Sequence, residues 1–436
     1  MVGFADLEGI QRHVSRGIQT RYDFSLMLTQ FRLRLSALTA GLPRTYWLLW
    51  LGTLINRLGG FVVPFLTLYL TAQRRIPVSQ AALMVSLFGA GSFAASLVGG
   101  ELADRLGRRP VLLLSFLIAP ANMLLLGLAR SLPLIACLTL LQGFFTDLYR
   151  PAVSAAVADL VPSEARPRAF GYLYWAINLG FAFAPALAGL IARWDYFLLF
   201  LGDAVTTFIF GLIVLWGVRE TRPIVAQSAA ALTARERLTQ IGREPILLTF
   251  SLLALGLGTI YMQGLVTLPV DMQSSGLGPD QYGLAISLNG ALIVLLSIPA
   301  SNAAVRWPRF GSLSLAALLV GAGFGLTAFA DTFWVYAMTV AVWTMGEIVG
   351  ATIAPAIVAD LSPVDLRGTF QGVYGAAWGL SFFIGPVIGG WVFEHLGSTA
   401  LWAGTFALGC VLALGYLALA RPAGRRMARR EHVASG

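Results

Sequence analysis

Residues 100–109, Gly-Glu-Leu-Ala-Asp-Arg-Leu-Gly-Arg-Arg, form a short charged turn that is bounded by glycines. Apolar runs flank this turn on both sides, over residues 80–102 and 110–128. Each run is long enough to cross a hydrocarbon layer of about 30 Å as a helix. The turn is therefore predicted to lie at a membrane surface, between two membrane-spanning helices.

The composition of the whole chain agrees with a membrane protein. Hydrophobic residues make up 57% of the 436 residues and charged residues 12%, which is outside the range of soluble globular domains. Apolar runs bounded by charged, proline or turn residues predict an all-α membrane protein with twelve transmembrane helices. The predicted spans lie near residues 46–72, 80–103, 110–129, 133–158, 169–192, 197–218, 246–270, 281–304, 312–330, 333–358, 369–393 and 399–420.

The basic residues, all of which are arginine, are distributed unevenly between the two sides of this topology. If residues 1–44 are cytoplasmic, the loops of the other side hold only Arg74, Arg75, Arg130 and Arg193. By the positive-inside rule, both termini are predicted to be cytoplasmic. The same asymmetry accounts for the net charge of +9 without a nucleic-acid partner.

The start of the chain and its few cysteines and histidines carry little chemical signal. Residues 1–44 lack the apolar segment of a signal peptide and are predicted to form a cytoplasmic arm. An interfacial helix, a disordered arm and an initiation at Met27 remain open for this segment. Cys137 and Cys410 fall inside spans and the histidines are scattered, so no disulfide, metal site or cofactor is expected. The absence of phosphate-loop, zinc and nucleophile motifs also argues against an enzyme.

The chain contains an internal repeat with an offset of 201 residues. At this offset Ala-Asp-Leu at residues 158–160 aligns with Ala-Asp-Leu at residues 359–361, and Pro185 and Gly189 align with Pro386 and Gly390. The halves share the same sense in the membrane, which predicts two parallel six-helix repeats. The predicted domains are an N-terminal bundle over residues 45–218, a cytoplasmic linker over 219–245, a C-terminal bundle over 246–420 and a basic cytoplasmic tail over 421–436.

Three segments resemble a known family. The charged turn at residues 100–109 resembles the signature between the second and third helices of the major facilitator superfamily. Residues 178–189, from Asn-Leu-Gly to Ala-Gly, resemble the fifth-helix signature of the antiporters in this family. Ala-Asp-Leu-Val-Pro at residues 158–162, followed by Tyr-Trp-Ala-Ile-Asn at residues 174–178, is most similar to bacterial drug:proton antiporters.

The sequence departs from this family pattern at two places. Thr139 stands where these antiporters often carry a basic residue, three positions before Gln142. The second-half counterpart of the charged turn, residues 301–311, contains no acidic residue and keeps only Arg306, Arg309 and Gly311 of the pattern. The second departure predicts a stronger gate latch in the N-terminal half.

The resemblance implies that the charged turn latches the cytoplasmic side of an outward-open state. Gly100 and Gly107 are expected to permit close helix approach and a tight turn. Asp104 is expected to face the start of the eleventh helix near residues 367–369, while the arginines reach acids or lipid phosphates. The predicted gating residues are Gly100, Asp104, Arg105, Gly107, Arg108 and Arg109. The alternative is a basic turn that only fixes membrane orientation.

Four charged residues lie far from any predicted loop, namely Arg57, Asp147, Arg150 and Glu347. Such charges are costly in hydrocarbon, so each should face the bundle interior or a wet cavity. Because the first and fourth helices adjoin in the superfamily, Arg57, Asp147 and Arg150 are predicted to form one charge cluster. Glu347 has no basic neighbour in its own helix and is predicted to carry the coupled proton. The alternative for these groups is a purely structural role.

Other residues are predicted to shape the transport path. Pro185 and Pro386 are expected to kink glycine-rich helices that pack closely. Asp203 and Asp271 are expected to lie in an outer vestibule. The predicted helix-packing residues are Gly180, Pro185, Gly189, Gly385, Pro386 and Gly390. The candidate cavity residues are Asn56, Phe144, Tyr149, Trp175, Trp343, Tyr374 and Trp378, although most aromatic residues in such a chain only pack or anchor at interfaces.

Together these features predict a monomeric secondary transporter of a bacterial inner membrane. Its expected partners are a small-molecule substrate, protons and membrane lipid. The favoured function is export of small amphipathic compounds in exchange for protons by alternating access. The first alternative is a proton-linked transporter of a polar metabolite, because fold does not decide substrate. A membrane enzyme or a non-transporting sensor on the same scaffold is the alternative from another class.

Overall fold

The structure is a computed structural model, and it describes residues 42–162, 165–221, 244–304, 307–362 and 367–435. Within these ranges all regular secondary structure is helical, and twelve helices are long and apolar enough to span a membrane. The predicted fold class is therefore confirmed. The helices are α1 Arg44–Gln73, α2 Val78–Leu106, α3 Arg108–Leu128, α4 Leu132–Leu160, α5 Arg166–Ala192, α6 Phe197–Gly217, α7 Pro245–Ser274, α8 Pro279–Ala304, α9 Arg309–Phe329, α10 Phe333–Leu361, α11 Arg367–Leu396 and α12 Ser398–Ser435.

The last helix is longer than the sequence predicts. α12 continues to Ser435, through most of the segment that we predicted as a basic tail. The helix continues past Pro422 and Gly424, which disfavour helix interiors, and the following residues are mostly arginine, alanine and methionine, which are strong helix formers. The predicted arm over residues 1–44 and linker over residues 219–245 lie mostly outside the described residues. The division into domains stays a prediction.

Because the number of spans is even, α1 begins and α12 ends on the same side of the membrane region. We call this side the terminal face and the other side the opposite face. The helices α1–α6 form the N-half and the helices α7–α12 form the C-half.

The first helix of each half is interrupted at membrane depth. α1 consists of Arg44–Leu58, Val62–Leu68 and a final π-helical segment, Tyr69–Gln73, and a break that contains Gly59 and Gly60 separates the first two. α7 consists of Pro245–Tyr261 followed by the short segments Gln263–Val266 and Leu268–Ser274. The two breaks occupy nearly the same repeat position, since residue 60 corresponds to residue 261. An interrupted helix frees backbone groups for bonds to side chains, a feature typical of binding sites in transporters.

The two halves share an apolar core from mid-membrane to the opposite face. One buried cluster joins C-half residues to N-half residues such as Phe65 and Phe200. A second cluster, which includes Tyr46 and Phe116, is confined to the terminal-face part of the N-half. Across the halves, α2 packs along α11 and α5 packs along α8. The opposite face is therefore closed by packing between the two halves.

Candidate transport site and gates

Glu347 lies in the middle of α10 and has neutral hydrogen-bond partners. The amide Nδ2 of Asn289, on α8, donates to Glu347 Oε2 at 2.8 Å and lies 3.0 Å from Thr344 Oγ1. The carboxylate is half-buried, and the phenol of Tyr261 is close enough to interact with it electrostatically. The carboxyl of Glu347 therefore interacts with the neutral amide of Asn289 and with the phenol of Tyr261, the last residue before the break of α7.

Aromatic rings surround the Tyr261 side of this carboxyl. The Tyr261 ring centroid lies 6.1 Å from that of Trp343 and 5.7 Å from that of Trp378. Trp343 is buried because it also stacks on Phe324, at 5.2 Å and 17°. Among the predicted cavity residues of the C-half, Trp343 therefore packs in the core. Trp378 and Tyr374 remain half-buried, with Tyr374 packed 5.9 Å from Phe250.

Asp147 and Arg150 form an ion pair on α4. Arg150 Nε lies 2.7 Å from Asp147 Oδ1, and the hydroxyl of Ser92 on α2 donates to the other carboxylate oxygen. Asp147 is buried, whereas the Arg150 side chain is 55% exposed. A guanidinium at this depth avoids hydrocarbon, so the exposed side of Arg150 indicates a water-accessible path in the N-half.

Arg57 does not join this pair and contacts Tyr149 instead. Its Nη2 donates to the Tyr149 hydroxyl, and its guanidinium lies 5.7 Å from the Tyr149 ring centroid. The expected single charge cluster of Arg57, Asp147 and Arg150 is thus divided into two contacts. The reason is helix geometry, because residues two apart point about 200° apart around the axis. Asp147 consequently faces α2 while Tyr149 faces α1.

Neutral substitutions should reveal this division in thermal stability. We expect Asp147→Asn and Arg150→Gln to show a coupling energy of about 1 kcal/mol or more, because either change leaves its partner uncompensated. Arg57→Gln should couple with Tyr149→Phe and be additive with Asp147→Asn. Apparent melting temperatures of the single and double variants in detergent measure both cycles. Strong coupling between residues 57 and 147 would contradict the two separate contacts.

Asp203 is a polar core residue that the sequence analysis placed wrongly in a vestibule. It is buried on α6, where its Oδ2 accepts the Val62 backbone N–H at 3.3 Å, at the start of the helical segment after the α1 break. Thr207 lies between this carboxylate and Asn56, whose Nδ2 donates to the threonine hydroxyl at 2.8 Å. Asn56 is thereby engaged in packing within the N-half. The paired glycines at residues 59 and 60 were the sequence signal for the break in α1, after which a backbone N–H needs a side-chain acceptor.

Asp271 is likewise buried, contrary to its expected vestibule position. The hydroxyl of Tyr336 on α10 donates to Asp271 Oδ2 at 2.8 Å. This contact ties the last segment of α7 to the start of α10.

The charged turn is organised around Arg108, the first residue of α3. Its guanidinium lies 2.9 Å from Asp104 Oδ1 and 2.9 Å from Asp159 Oδ2 on α4, and it donates to the Ala103 carbonyl at 3.0 Å. The Arg108 side chain is only 11% exposed, whereas that of Asp104 is 70% exposed. Arg105 pairs with Glu101 on the exposed side of the turn. Asp159 is a member of this network that the sequence analysis did not assign to the gate.

The end of α6 is joined to the same turn. Glu220 accepts the backbone N–H groups of Arg108 at 2.9 Å and Arg109 at 3.1 Å, so it caps the start of α3. Arg109 in turn donates to the Leu215 carbonyl at 2.8 Å, near the end of α6. Glycine is required at position 107 for two reasons. Its φ is 105°, and the Glu220 carboxylate occupies the space that a Cβ at this position would fill.

Gly100 has open space around its Cα, so it does not mediate close helix approach; the neighbouring Gly99 does, against Pro151 and Leu148. The one-residue difference reflects the 100° rotation between successive helical residues. The expected contact of Asp104 with residues 367–369 involves side chains outside the described residues and stays a prediction.

The repeat relationship extends to this network. Arg309 and Asp360, which correspond to Arg108 and Asp159, form an ion pair between α9 and α10. The position of Asp104 is occupied by Val305 in the second half. The pair between the third and fourth helices is therefore shared, while the additional acid belongs to the N-half.

The predicted helix-packing residues lie at helix crossings. Gly180 contacts Arg57 of α1, and Gly385 contacts Met262 and Thr259 of α7. After Pro185, the Ala186 N–H donates to Ser287 Oγ of α8 at 2.9 Å. Before Pro386, the Gly385 carbonyl accepts from Gln263 Nε2 at 3.0 Å. Each proline thus accompanies a backbone group that bonds to a neighbouring helix.

The remaining candidate cavity residues belong to the N-half. Trp175 is half-exposed and stacks on Trp50, with centroids 6.3 Å apart and ring planes 9° apart. Phe144 packs edge-on against Phe145 at 5.3 Å. Among the described residues, no group of three or more potential metal-ligating side chains occurs.

Two parallel six-helix halves, interrupted first helices and charged residues at membrane depth define a membrane carrier. The chain belongs to the Major Facilitator Superfamily, whose family model matches residues 49–273 and 265–434. It is an all-helical, multi-pass membrane protein of a family of secondary transporters.

Similar proteins include carriers whose names indicate different functions. An uncharacterized MFS-type transporter, YttB of Bacillus subtilis (strain 168), is 28% identical over 83% of this chain and 91% of its own length. A Na(+), Li(+), K(+)/H(+) antiporter of Planococcus maritimus is 26% identical over 79% of this chain and 90% of its own. The multidrug resistance protein MdtH of Escherichia coli O9:H4 (strain HS) is 24% identical over 86% and 94%, respectively. A crystal structure of the peptide transporter POT in complex with sulfate has a TM-score of 0.74 at 17% identity, covering 90% of this chain and 99% of that one.

Proposed function

We propose that this chain exports small amphipathic compounds in exchange for protons. The observation that carries the proposal is Glu347, a membrane-depth carboxyl that accepts a hydrogen bond from the neutral amide of Asn289 and interacts electrostatically with the phenol of Tyr261. Removal from water disfavours the charged form of a carboxyl, whereas an adjacent cationic substrate favours it. A proton and an amphipathic cation can therefore compete for one site.

The aromatic groups suit such a substrate. Tyr261, whose phenol interacts electrostatically with Glu347, packs against the half-buried Trp378 with ring centroids 5.7 Å apart. Aromatic faces attract organic cations, and they tolerate varied planar shapes better than a fixed set of hydrogen bonds does. The similarity to a multidrug resistance protein and to a cation/proton antiporter agrees with this proposal.

Arginine distribution supports a cytoplasmic terminal face in a bacterial inner membrane. In this orientation the structure corresponds to a state closed toward the outside. Asp104, which is exposed at the charged turn, would close the cytoplasmic side in the alternate state by meeting the start of α11. Transport then alternates between closure of the opposite face and closure of the terminal face.

A second candidate function is proton-linked transport of a polar metabolite. The water-accessible Arg150, paired with the buried Asp147, favours this candidate because such groups bind polar solutes. The two candidates differ in the half that binds the substrate: the first relies on Glu347 of the C-half, and the second on Asp147 and Arg150 of the N-half.

Reconstitution into vesicles with an acidic interior distinguishes them. Because protons leaving the vesicle drive substrate inward by exchange, we expect uptake of ethidium and no uptake of xylose. The membrane potential is clamped with valinomycin and equal potassium, and a protonophore serves as the control that removes the driving force. Gradient-driven movement of xylose without ethidium movement, either as uptake by exchange or as efflux from preloaded vesicles by cotransport with protons, would favour the second candidate.

A further inference from the structure

The opposite face contains two polar contacts between the halves that are related by the internal repeat. In the first, Arg193 Nη1 at the end of α5 lies 3.4 Å from Asp280 Oδ2 in the first turn of α8. In the second, Glu394 Oε2 near the end of α11 accepts the Ser79 backbone N–H of α2 at 2.7 Å. The offset of 201 residues relates Arg193 to Glu394 and Ser79 to Asp280.

A glycine one turn earlier accompanies each polar contact. A Cβ on Gly189 would lie 2.6 Å from the Pro279 carbonyl oxygen and 2.8 Å from the Asp280 Cα. A Cβ on Gly390 would overlap the Ala82 side chain and lie 3.4 Å from the Ser79 Cα. These distances leave no room for a larger residue at Gly189 without movement of α8. The halves therefore approach closely where the polar contacts form.

We propose that Arg193–Asp280 and Glu394–Ser79, each with its adjacent glycine, are paired clasps that hold the opposite face closed during the transport cycle. Both clasps join the end of the fifth helix of one half to the start of the second helix of the other half. Opening this face separates those helix ends, so both clasps must break together. The proposal concerns the gate of a superfamily carrier and is independent of the substrate and of proton coupling.

The two clasps differ chemically, which allows them to be tested separately. The first needs two charged side chains, whereas the second joins a carboxylate to the Ser79 N–H at the start of a helix, where negative charge is favoured. The Ser79 hydroxyl also contributes to the second contact. Ser79→Ala removes the hydroxyl alone, and Ser79→Pro removes the backbone donor in the first turn of α2, where the N–H has no partner within the helix.

Distance measurements between spin labels test the clasps directly. Gln73 and Gln273 are exposed near the opposite-face ends of α1 and α7, so cysteines at these positions report on separation of the halves. The native Cys137 and Cys410 are first replaced by serine and alanine, respectively, so that only the introduced cysteines are labelled. Arg193→Gln should raise the ratio of open to closed populations about two- to fivefold, the effect of a surface ion pair. Glu394→Gln should raise it about fivefold, and the two effects should multiply because the clasps share no residue.

Matched variants separate a clasp from a general loss of charge or fold. Arg130→Gln, at another exposed position of this face, should leave the distances unchanged. The exchange Arg193→Asp with Asp280→Arg should restore the closed population. Gly390→Ala should increase the distance between the spin labels at positions 73 and 273. The double variant Gly390→Ala with Ala82→Gly should return that distance to the original value. The proposal is overturned if Arg193→Gln and Arg130→Gln behave alike, if the exchange fails to restore closure, or if Ala82→Gly does not rescue Gly390→Ala.

Discussion

Replacing Glu347 with glutamine is expected to abolish accumulation of substrate driven by a pH gradient. Glutamine retains the size of the side chain and an oxygen that can accept from Asn289, but it cannot bind or release a proton. In vesicles with an acidic interior, ethidium accumulation should fall to the level of protein-free vesicles. Exchange of labelled substrate between equal pools should persist, because alternating access does not itself require the lost proton.

Asp331→Asn is the matched control, since this acid is exposed in the loop before α10. It should accumulate ethidium at the wild-type rate. If Glu347→Gln also accumulated substrate at that rate, Glu347 would not be the coupling group and Asp147 would become the leading candidate. Loss of both accumulation and exchange would indicate a defect in binding or folding instead.

The second large effect is expected for Arg108, the centre of the charged-turn network. Arg108→Gln removes the cation that pairs with Asp159 and that donates to the Ala103 carbonyl near the end of α2. We expect a loss of about 2 to 3 kcal/mol in stability, near the lower end for a buried ion pair because Asp159 retains some contact with solvent. The apparent melting temperature in detergent is the measurement. Asp104→Asn should cost much less, since Asp104 is largely exposed.

The repeat supplies a control for this prediction. Arg309→Gln removes the corresponding cation from the C-half, but that side chain is 52% exposed, so a loss below about 1 kcal/mol is expected. Adding Asp159→Asn to Arg108→Gln should recover part of the stability, because the uncompensated carboxylate is then neutral. Equal losses for Arg108→Gln and Arg309→Gln would show that burial does not distinguish the two pairs.

The sequence by itself determined the number and approximate limits of the helices. Each span must satisfy its own backbone hydrogen bonds and present about twenty apolar residues to lipid, so the information is local. The offset of 201 residues likewise established the duplication, and the charged turn at residues 100–109 indicated the family. The sequence also identified Glu347 as a membrane-depth acid without a basic neighbour in its helix. Its role in proton coupling stays a prediction.

Only the tertiary structure decided which polar groups meet. Arg57 contacts Tyr149 rather than Asp147, and Asp203 receives the backbone of α1 instead of lining a vestibule. Such partners depend on the rotation of each helix about its axis, where an error of one residue changes the direction of a side chain by 100°. Hydropathy does not specify that rotation because lipid accepts apolar side chains on any outward face. The packing of α2 on α11 and α5 on α8 specifies it, and thereby brings Arg193 to Asp280 and Glu394 to Ser79.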